Sequence, residues 1–131
     1  MSDDARTVIV PEGGAPPMGP YSSGIQLGDL LFTSGTTGVD PDTGSLADGV
    51  VEQTRQALTN LSTVLEAGGS SITKVLKTTV FMTNLQEFAT MNEVYGGVFA
   101  KDPPARSTIQ VAALPGGASI EIEAIAWAGG D

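Results

Sequence analysis

The side chains best suited to chemistry in this sequence are one arginine and a pair of glutamates. Arg106 follows Ala105 where a loop stopped by Pro103 and Pro104 enters a β run, so its guanidinium projects from a rigid edge. A planar fork of donors held this way suits bidentate capture of a carboxylate. Spacing alone leaves a second reading open, an ordinary ion pair with one of the fifteen acids. Glu121 and Glu123 alternate with Ile120, Ile122 and Ala124, which puts both carboxylates on one strand face with Ile125 and Trp127. If that face is partly buried, desolvation raises a carboxyl pKa toward the range useful for proton transfer near neutrality. If it is solvated, the pair is plain strand surface.

Three weaker signals accompany these. Tyr21, in Gly19-Pro20-Tyr21-Ser22, reads by default as a packed aromatic beside a turn. Ser34-Gly35 ends a strand and offers an amide that could hold an anion, though a lone Ser-Gly says little. Asn92, in mid-helix, either faces solvent or presents its amide to a pocket.

Much chemistry is excluded by composition. With no cysteine and no histidine there are no disulfides, thiol nucleophiles or imidazole bases, and the usual zinc and copper ligands are missing. A glycine-rich dinucleotide turn after a strand, a Walker lysine motif and an Asp-x-Asp calcium loop are all absent, so no nucleotide of those kinds and no obligatory metal are expected. The net charge of −9 reflects scarce bases, the only cations being Arg6, Arg55, Lys74, Lys77, Lys101 and Arg106. So few cannot track phosphates, which argues against nucleic acid as a partner.

The elements that must position these groups follow from pattern. A length of 131 residues suits a single domain, 1–131. No apolar run approaches the roughly 20 residues of a membrane span, and residues 1–7 are polar and acidic, so a cytoplasmic location is expected. Residues 7–10 read as a short strand and 11–17 as an irregular loop, while 24–27 and 30–34 form a hairpin about Gly28-Asp29. A turn at 40–44 precedes a helix of about four turns with Val51, Thr54, Leu58, Leu61 and Leu65 on one stripe, capped by Asp48 and ended by Gly68-Gly69. A strand over 75–83 leads to Asn84 and Glu87, a capping-box-like start to a second helix with Phe88, Met91, Tyr95 and Phe99 along one stripe. Gly96-Gly97 in that helix costs roughly 1 kcal/mol per residue relative to alanine, so close packing is expected there. Strands over 107–114 and 119–127 follow, joined by a hairpin connection at 115–118. The order ββ(β)αβαββ implies an α+β domain with both helices on one face of a mixed or antiparallel sheet. The other face keeps apolar residues from 30–32 and 109–113, which predicts association into a closed cyclic oligomer.

Six motifs in order then assemble: Gly19-Pro20-Tyr21-Ser22, Leu31-Phe32-Thr33-Ser34-Gly35, Lys77-Thr78-Thr79-Val80-Phe81, Met91-Asn92-Glu93-Val94-Tyr95, Pro104-Ala105-Arg106-Ser107 and Ile120-Glu121-Ile122-Glu123-Ala124-Ile125. Together they resemble the Rid family, also called YjgF, over nearly the whole chain. The resemblance implies a chorismate-mutase-like α+β fold of the bacillary type, assembled as a homotrimer whose sheets line a central barrel, with clefts between neighbouring subunits. It implies hydrolysis of reactive 2-imino acids, which arise from enamines released by pyridoxal-phosphate enzymes, to 2-oxo acids and ammonia. Members of this kind, the 2-iminobutanoate/2-iminopropanoate deaminases, need no cofactor. Carried over by motif, Arg106 clamps the substrate carboxylate, Glu121 positions or activates the water that attacks C=N, and Tyr21, Ser34 and Asn92 line the cleft. Amides near Gly35 and Thr108 add backbone contacts.

Two departures stand out. Thr108 occupies the place, two residues after the arginine, where many deaminating relatives have cysteine, and Thr36-Thr37-Gly38 replaces a loop that often runs Gln-Ile-Pro. The competing functions are a non-catalytic trimeric binder of small carboxylate metabolites and a ribonuclease, the latter poorly served by an acidic chain without histidine.

Overall fold

Alternating β-branched and apolar runs pair into one mixed sheet in the computed structural model, which describes residues 5–130. The polar start of the chain, residues 1–4, and residue 131 lie outside the described residues. The strands are β1 (Thr7–Ile9), β2 (Gly24–Leu27), β3 (Leu30–Thr33), β4 (Thr36–Thr37), β5 (Val75–Met82), β6 (Ala105–Gln110) and β7 (Ile120–Trp127), and the helices are α1 (Gly49–Ala67) and α2 (Phe88–Val98). In space the strands run β1-β2-β3-β7-β5-β6, with the two-residue β4 also pairing with β7. No helix among the described residues is long and apolar enough to cross a membrane.

The hairpin of β2 and β3 closes where expected, with Leu27 opposite Leu30 and Gly28 at φ +59°, a conformation cheap only for glycine. Strands β3 and β5 are each antiparallel to β7, so α1 carries the chain between parallel strands across β7; β5 and β6 are directly paired in parallel through α2. The expected hairpin between the last two strands is therefore not formed. A strand that returns through a helix lies parallel to its predecessor, so β6 docks on the outer side of β5, and residues 111–119 must pass over to reach β7. The strand expected over 107–114 also stops at Gln110: Val111 N donates to Met82 O at 2.8 Å, and the turn Pro115–Gly117, with Gly116 and Gly117 at positive φ, follows.

Both helices pack on each other and on one face of the sheet. Helix α1 has 19 residues, longer than the four turns expected, and its buried stripe starts at Val50 while Val51 is exposed. Asp48 occupies the N-cap position without a capping side-chain bond. The helix ends as expected, with Ser70 N donating to Leu65 O at 2.8 Å and Gly69 at φ +78°. Asn84 accepts from Gln86 N at 3.0 Å and so caps a single 3₁₀ turn, Leu85–Glu87, after which α2 begins. Met91, Tyr95 and Phe99 of its stripe are buried, whereas Phe88 is half exposed. The close packing expected at Gly96 and Gly97 is not found among the described residues, because successive residues turn about 100° and these two point away from the stripe into open space.

Strand β7 shows the two-residue period cleanly. Ile120, Ile122, Ala124 and Ala126 are buried against the helices with Leu31, Leu58, Leu61, Leu65, Val80 and Met82. Its other side chains turn to the face that no helix covers, where Leu30, Phe32, Ile109 and Trp127 remain exposed. The apolar open face read from the sequence is thus present. Leu61 is fully buried at the middle of the helix–sheet layer, so Leu61→Ala should destabilise the protein by about 2–5 kcal/mol, read as a lower midpoint in denaturant unfolding.

Candidate functional site

Between β3 and β4 the chain leaves the ladder of β7. Phe32 pairs with Ile125 and Thr36 with Ile122, so residues 33–35 stand opposite 123 and 124 alone. An extra residue on one strand is a bulge, a device that re-aims side chains beside sites. Thr33 Oγ1 spans the gap by accepting from Ala124 N at 3.0 Å. Ser34 is turned aside, its amide donating to Ser23 O at 2.9 Å and its hydroxyl to Ser22 O at 2.6 Å. These bonds fix the segment that carries Tyr21. Tyr21 is not packed in the core, the default reading of its motif: its ring is half exposed and its hydroxyl accepts from Met18 N at 3.0 Å.

Glu121 faces this bulge from β7. It and Glu123 are half-buried, so the solvated reading of the pair is set aside in favour of partial burial. Gly35 has no side chain because the Glu121 carboxylate occupies the space a Cβ would take. Burial raises the Glu121 pKa above the ordinary carboxylate range, and repulsion from Glu123 raises it further. Tyr21, Ser34, Gly35 and Glu121 line a cavity of about 240 Å³ whose apolar wall includes Pro17, Met18 and Val64.

The unusual loop after Gly35 is firmly held. Thr36 Oγ1 donates to Ala57 O at 2.9 Å, and Asn60 Nδ2 donates to Thr37 O at 2.9 Å and Val39 O at 2.8 Å. A Cβ on Gly38 would come within 2.6 Å of Gln53 Cα, so glycine lets α1 approach. Asn60 was not singled out from the sequence. Its only signal there is an amide on the buried stripe of a helix, three residues after Ala57.

Arg106 belongs to a second cluster. On β6 it pairs with Thr78, and Thr108 pairs with Val80. Thr78 and Val80 are fully buried toward the helices, so Arg106 and Thr108 also face α2. The Arg106 guanidinium carbon lies 4.7 Å from the Tyr95 ring centroid and 5.4 Å from that of Phe88. Asn92 shares this helix stripe, four residues after Phe88 and three before Tyr95. Among the described residues no acid forms an ion pair with Arg106, whereas Arg55 pairs with Glu52 on the exposed side of α1. The ordinary surface ion pair, the alternative for Arg106, is therefore not its arrangement. Thr108 Oγ1 is buried, with no hydrogen-bond partner among the described residues.

The candidate residues thus fall into two clusters within one chain. Tyr21, Ser34, Gly35 and Glu121 open toward the bulge, whereas Asn92, Arg106 and Thr108 gather under α2. Strand β5 lies between β6 and β7, and Glu121 pairs with Phe81 while Arg106 pairs with Thr78. Two strand spacings and three residues separate the backbones by roughly 14 Å, and the side chains point to opposite faces. Among the described residues no group of acids could hold a metal ion.

A family model described as endoribonuclease L-PSP matches residues 13–128. The chain is 44% identical over 130 residues to the 2-iminobutanoate/2-iminopropanoate deaminase of Mus musculus, covering 98% of this chain and 96% of that one. It is also 44% identical over 123 residues to a RutC family protein of Pyrococcus horikoshii, covering 93% and 98% respectively. Among solved structures, that of E. coli TdcF with bound serine superposes with a TM-score of 0.89 at 41% identity, covering 92% of this chain and 98% of that one.

Because the folded pKa of Glu121 is raised, the folded state binds the proton more tightly than the unfolded state, and stability falls as pH rises from the unfolded pKa through the folded one. Glu121→Gln, which cannot ionise, should therefore be more stable than the parent at neutral pH. The difference in melting temperature should vanish below about pH 4, under the ordinary glutamate pKa.

Proposed function

This chain belongs to the Rid (YjgF) family, and we propose that it is an enamine/imine deaminase that hydrolyses reactive 2-imino acids to 2-oxo acids and ammonia. The observation that carries this reading is the Arg106 guanidinium, held by two aromatic rings and engaged by no acid of its own chain among the described residues. Its in-plane donors are left for a ligand, and a carboxylate is the group they fit in pairs. Relatives bearing the deaminase name at 44% and 42% identity support the same reading.

In the proposed mechanism Arg106 clamps the carboxylate of a protonated 2-imino acid. Ionised Glu121 faces the cationic C=N carbon, stabilises it, and accepts a proton from the water that attacks it. The tetrahedral carbinolamine takes that proton on nitrogen; as its C–N bond breaks, Glu121 accepts the hydroxyl proton so that the 2-oxo acid forms, and that proton then passes to the departing ammonia, which leaves as ammonium. Since a protonated imine is already electrophilic, orientation and one carboxylate are sufficient catalysis, and no cofactor is called for. Tyr21, Ser34, Gly35, Asn92 and Thr108 form the walls around the two reacting ends.

The complete site takes its halves from neighbouring subunits of a cyclic homotrimer. Two features support this: Arg106 and Glu121 point to opposite faces within one chain, and the uncovered sheet face carries apolar residues that association would bury. A family description as an endoribonuclease does not outweigh the charge, since six cations among fifteen acids make a poor groove for RNA.

The direct test generates imine with an amino-acid oxidase in the presence of semicarbazide. Added protein should lower the trapped imine, and Arg106→Ala should lose about a hundredfold in efficiency, the worth of a charge-assisted bidentate contact near 3 kcal/mol. Equal trapping with and without protein would sink the deaminase reading. The shared cleft has its own test: Arg106→Ala and Glu121→Gln, each retaining about one per cent of activity or less alone, should recover roughly a quarter of parental activity when co-expressed, because each mixed cyclic trimer contains one intact cleft in three. No recovery would place both groups in a single subunit's site.

A further inference from the structure

We infer that Tyr95, tied down by Thr78 and assisted by Phe88, is a positioning residue that aims the Arg106 guanidinium and thereby sets affinity for the substrate carboxylate. This rests on the reading of Arg106 as the carboxylate clamp and deepens it. The three residues form a closed cycle. Thr78 is the cross-strand partner of Arg106 in the β5–β6 ladder, Thr78 Oγ1 and Tyr95 Oη are 2.7 Å apart and buried, and the Tyr95 ring stands 4.7 Å from the guanidinium carbon. The backbone of Arg106 and the seat of its side chain are thus referenced to the same threonine.

The physical case turns on which part of the guanidinium the seat uses. A neighbouring Asp or Glu would occupy the in-plane N–H donors and neutralise the charge, leaving nothing for a ligand. Aromatic rings attract the cation through their π faces instead, so the five N–H groups stay available in the plane. Tyr95 is 5% exposed and packs against Phe99 at 4.7 Å between ring centroids, so its ring has no room to drift. Phe88, 39% exposed, offers a second ring to the guanidinium. Burial raises the Tyr95 pKa above that of free tyrosine, outweighing the hydrogen bond to Thr78 and the nearby Arg106 charge, so the phenol stays neutral and does not pair with the arginine as an anion.

The experiment measures 2-oxobutanoate binding by calorimetry, with KM and kcat from the imine-trap assay, for Tyr95→Leu, Tyr95→Phe, Phe88→Leu and Arg106→Ala. Removing the ring in Tyr95→Leu should raise KM and the 2-oxobutanoate Kd about tenfold, ~1.4 kcal/mol, the scale of a desolvated cation–π contact. Its kcat should change much less than its KM. Tyr95→Phe keeps the ring and loses only the Thr78 bond, so it should restore Kd to within about threefold of the parent. If Tyr95→Leu does not fold, the partly exposed Phe88→Leu carries the test with an expected rise of about threefold. Ring-deleted variants that bind 2-oxobutanoate like the parent, while Arg106→Ala does not, would overturn the positioning role. Unchanged binding in Arg106→Ala as well would instead overturn the carboxylate clamp itself.

Discussion

Everything in this domain hangs on the alternation of β7. Its eight residues, Ile120–Trp127, are hydrogen-bonded to β3 and β4 on one side and to β5 on the other, so the strand is the axis of the sheet. A period of two puts Ile120, Ile122, Ala124 and Ala126 beneath the helices and Glu121 and Glu123 on the opposite face. Slipping the register by one residue would bury both glutamates in the core and expose the isoleucines, an exchange no other interaction here could offset. The apolar face therefore holds the carboxylates where they are, and partial burial on the other face raises the pKa of Glu121.

A second consequence of that strand order is the division of the candidate residues into two clusters. Because α2 returns the chain to the outer side of β5, Arg106 is carried to the sheet edge and turned under the helix, away from Glu121. Each cluster is then built from different materials. Around Glu121 a bulge, a glycine and a committed serine hydroxyl clear space and hold a loop. Around Arg106 two rings and a threonine hold a cation without neutralising it. Such separation keeps a guanidinium and a carboxylate, each without an ion pair among the described residues, from quenching each other inside one chain.

Much of the fold was legible in residue order because local physics dominates there. The β2–β3 hairpin follows from Gly28-Asp29, the end of α1 from Gly68-Gly69, and the length of β5 from its β-branched run. Some of the expectations that the structure corrects depend on a neighbour remote in sequence, others on local detail such as the Asp48 cap. The supposed hairpin at 115–118 ignored that β5 had already taken the place beside β7. Tyr21 reads as a core aromatic, whereas its hydroxyl accepts from Met18 N and Ser34 bonds to the neighbouring Ser22 carbonyl, which places the ring at the cavity lining. Tyr95 and Phe88 read as stripe residues of an amphipathic helix, and a helical period carries no sign that a cation stands above them.

The sequence by itself determined which groups could act: one arginine at a strand start, two glutamates on one strand face, no thiol and no imidazole, within a mixed α+β order of elements. Those are matters of residue type, period and spacing, and they are decided within a few residues along the chain. Only the tertiary structure decided that Arg106 is seated on rings and engaged by no acid among the described residues, that Glu121 is half-buried against Gly35, and that the two lie on opposite faces. Desolvation, unpaired charge and the side of a sheet on which a group emerges depend on strands brought together from distant positions, and no local pattern encodes which strand becomes whose neighbour.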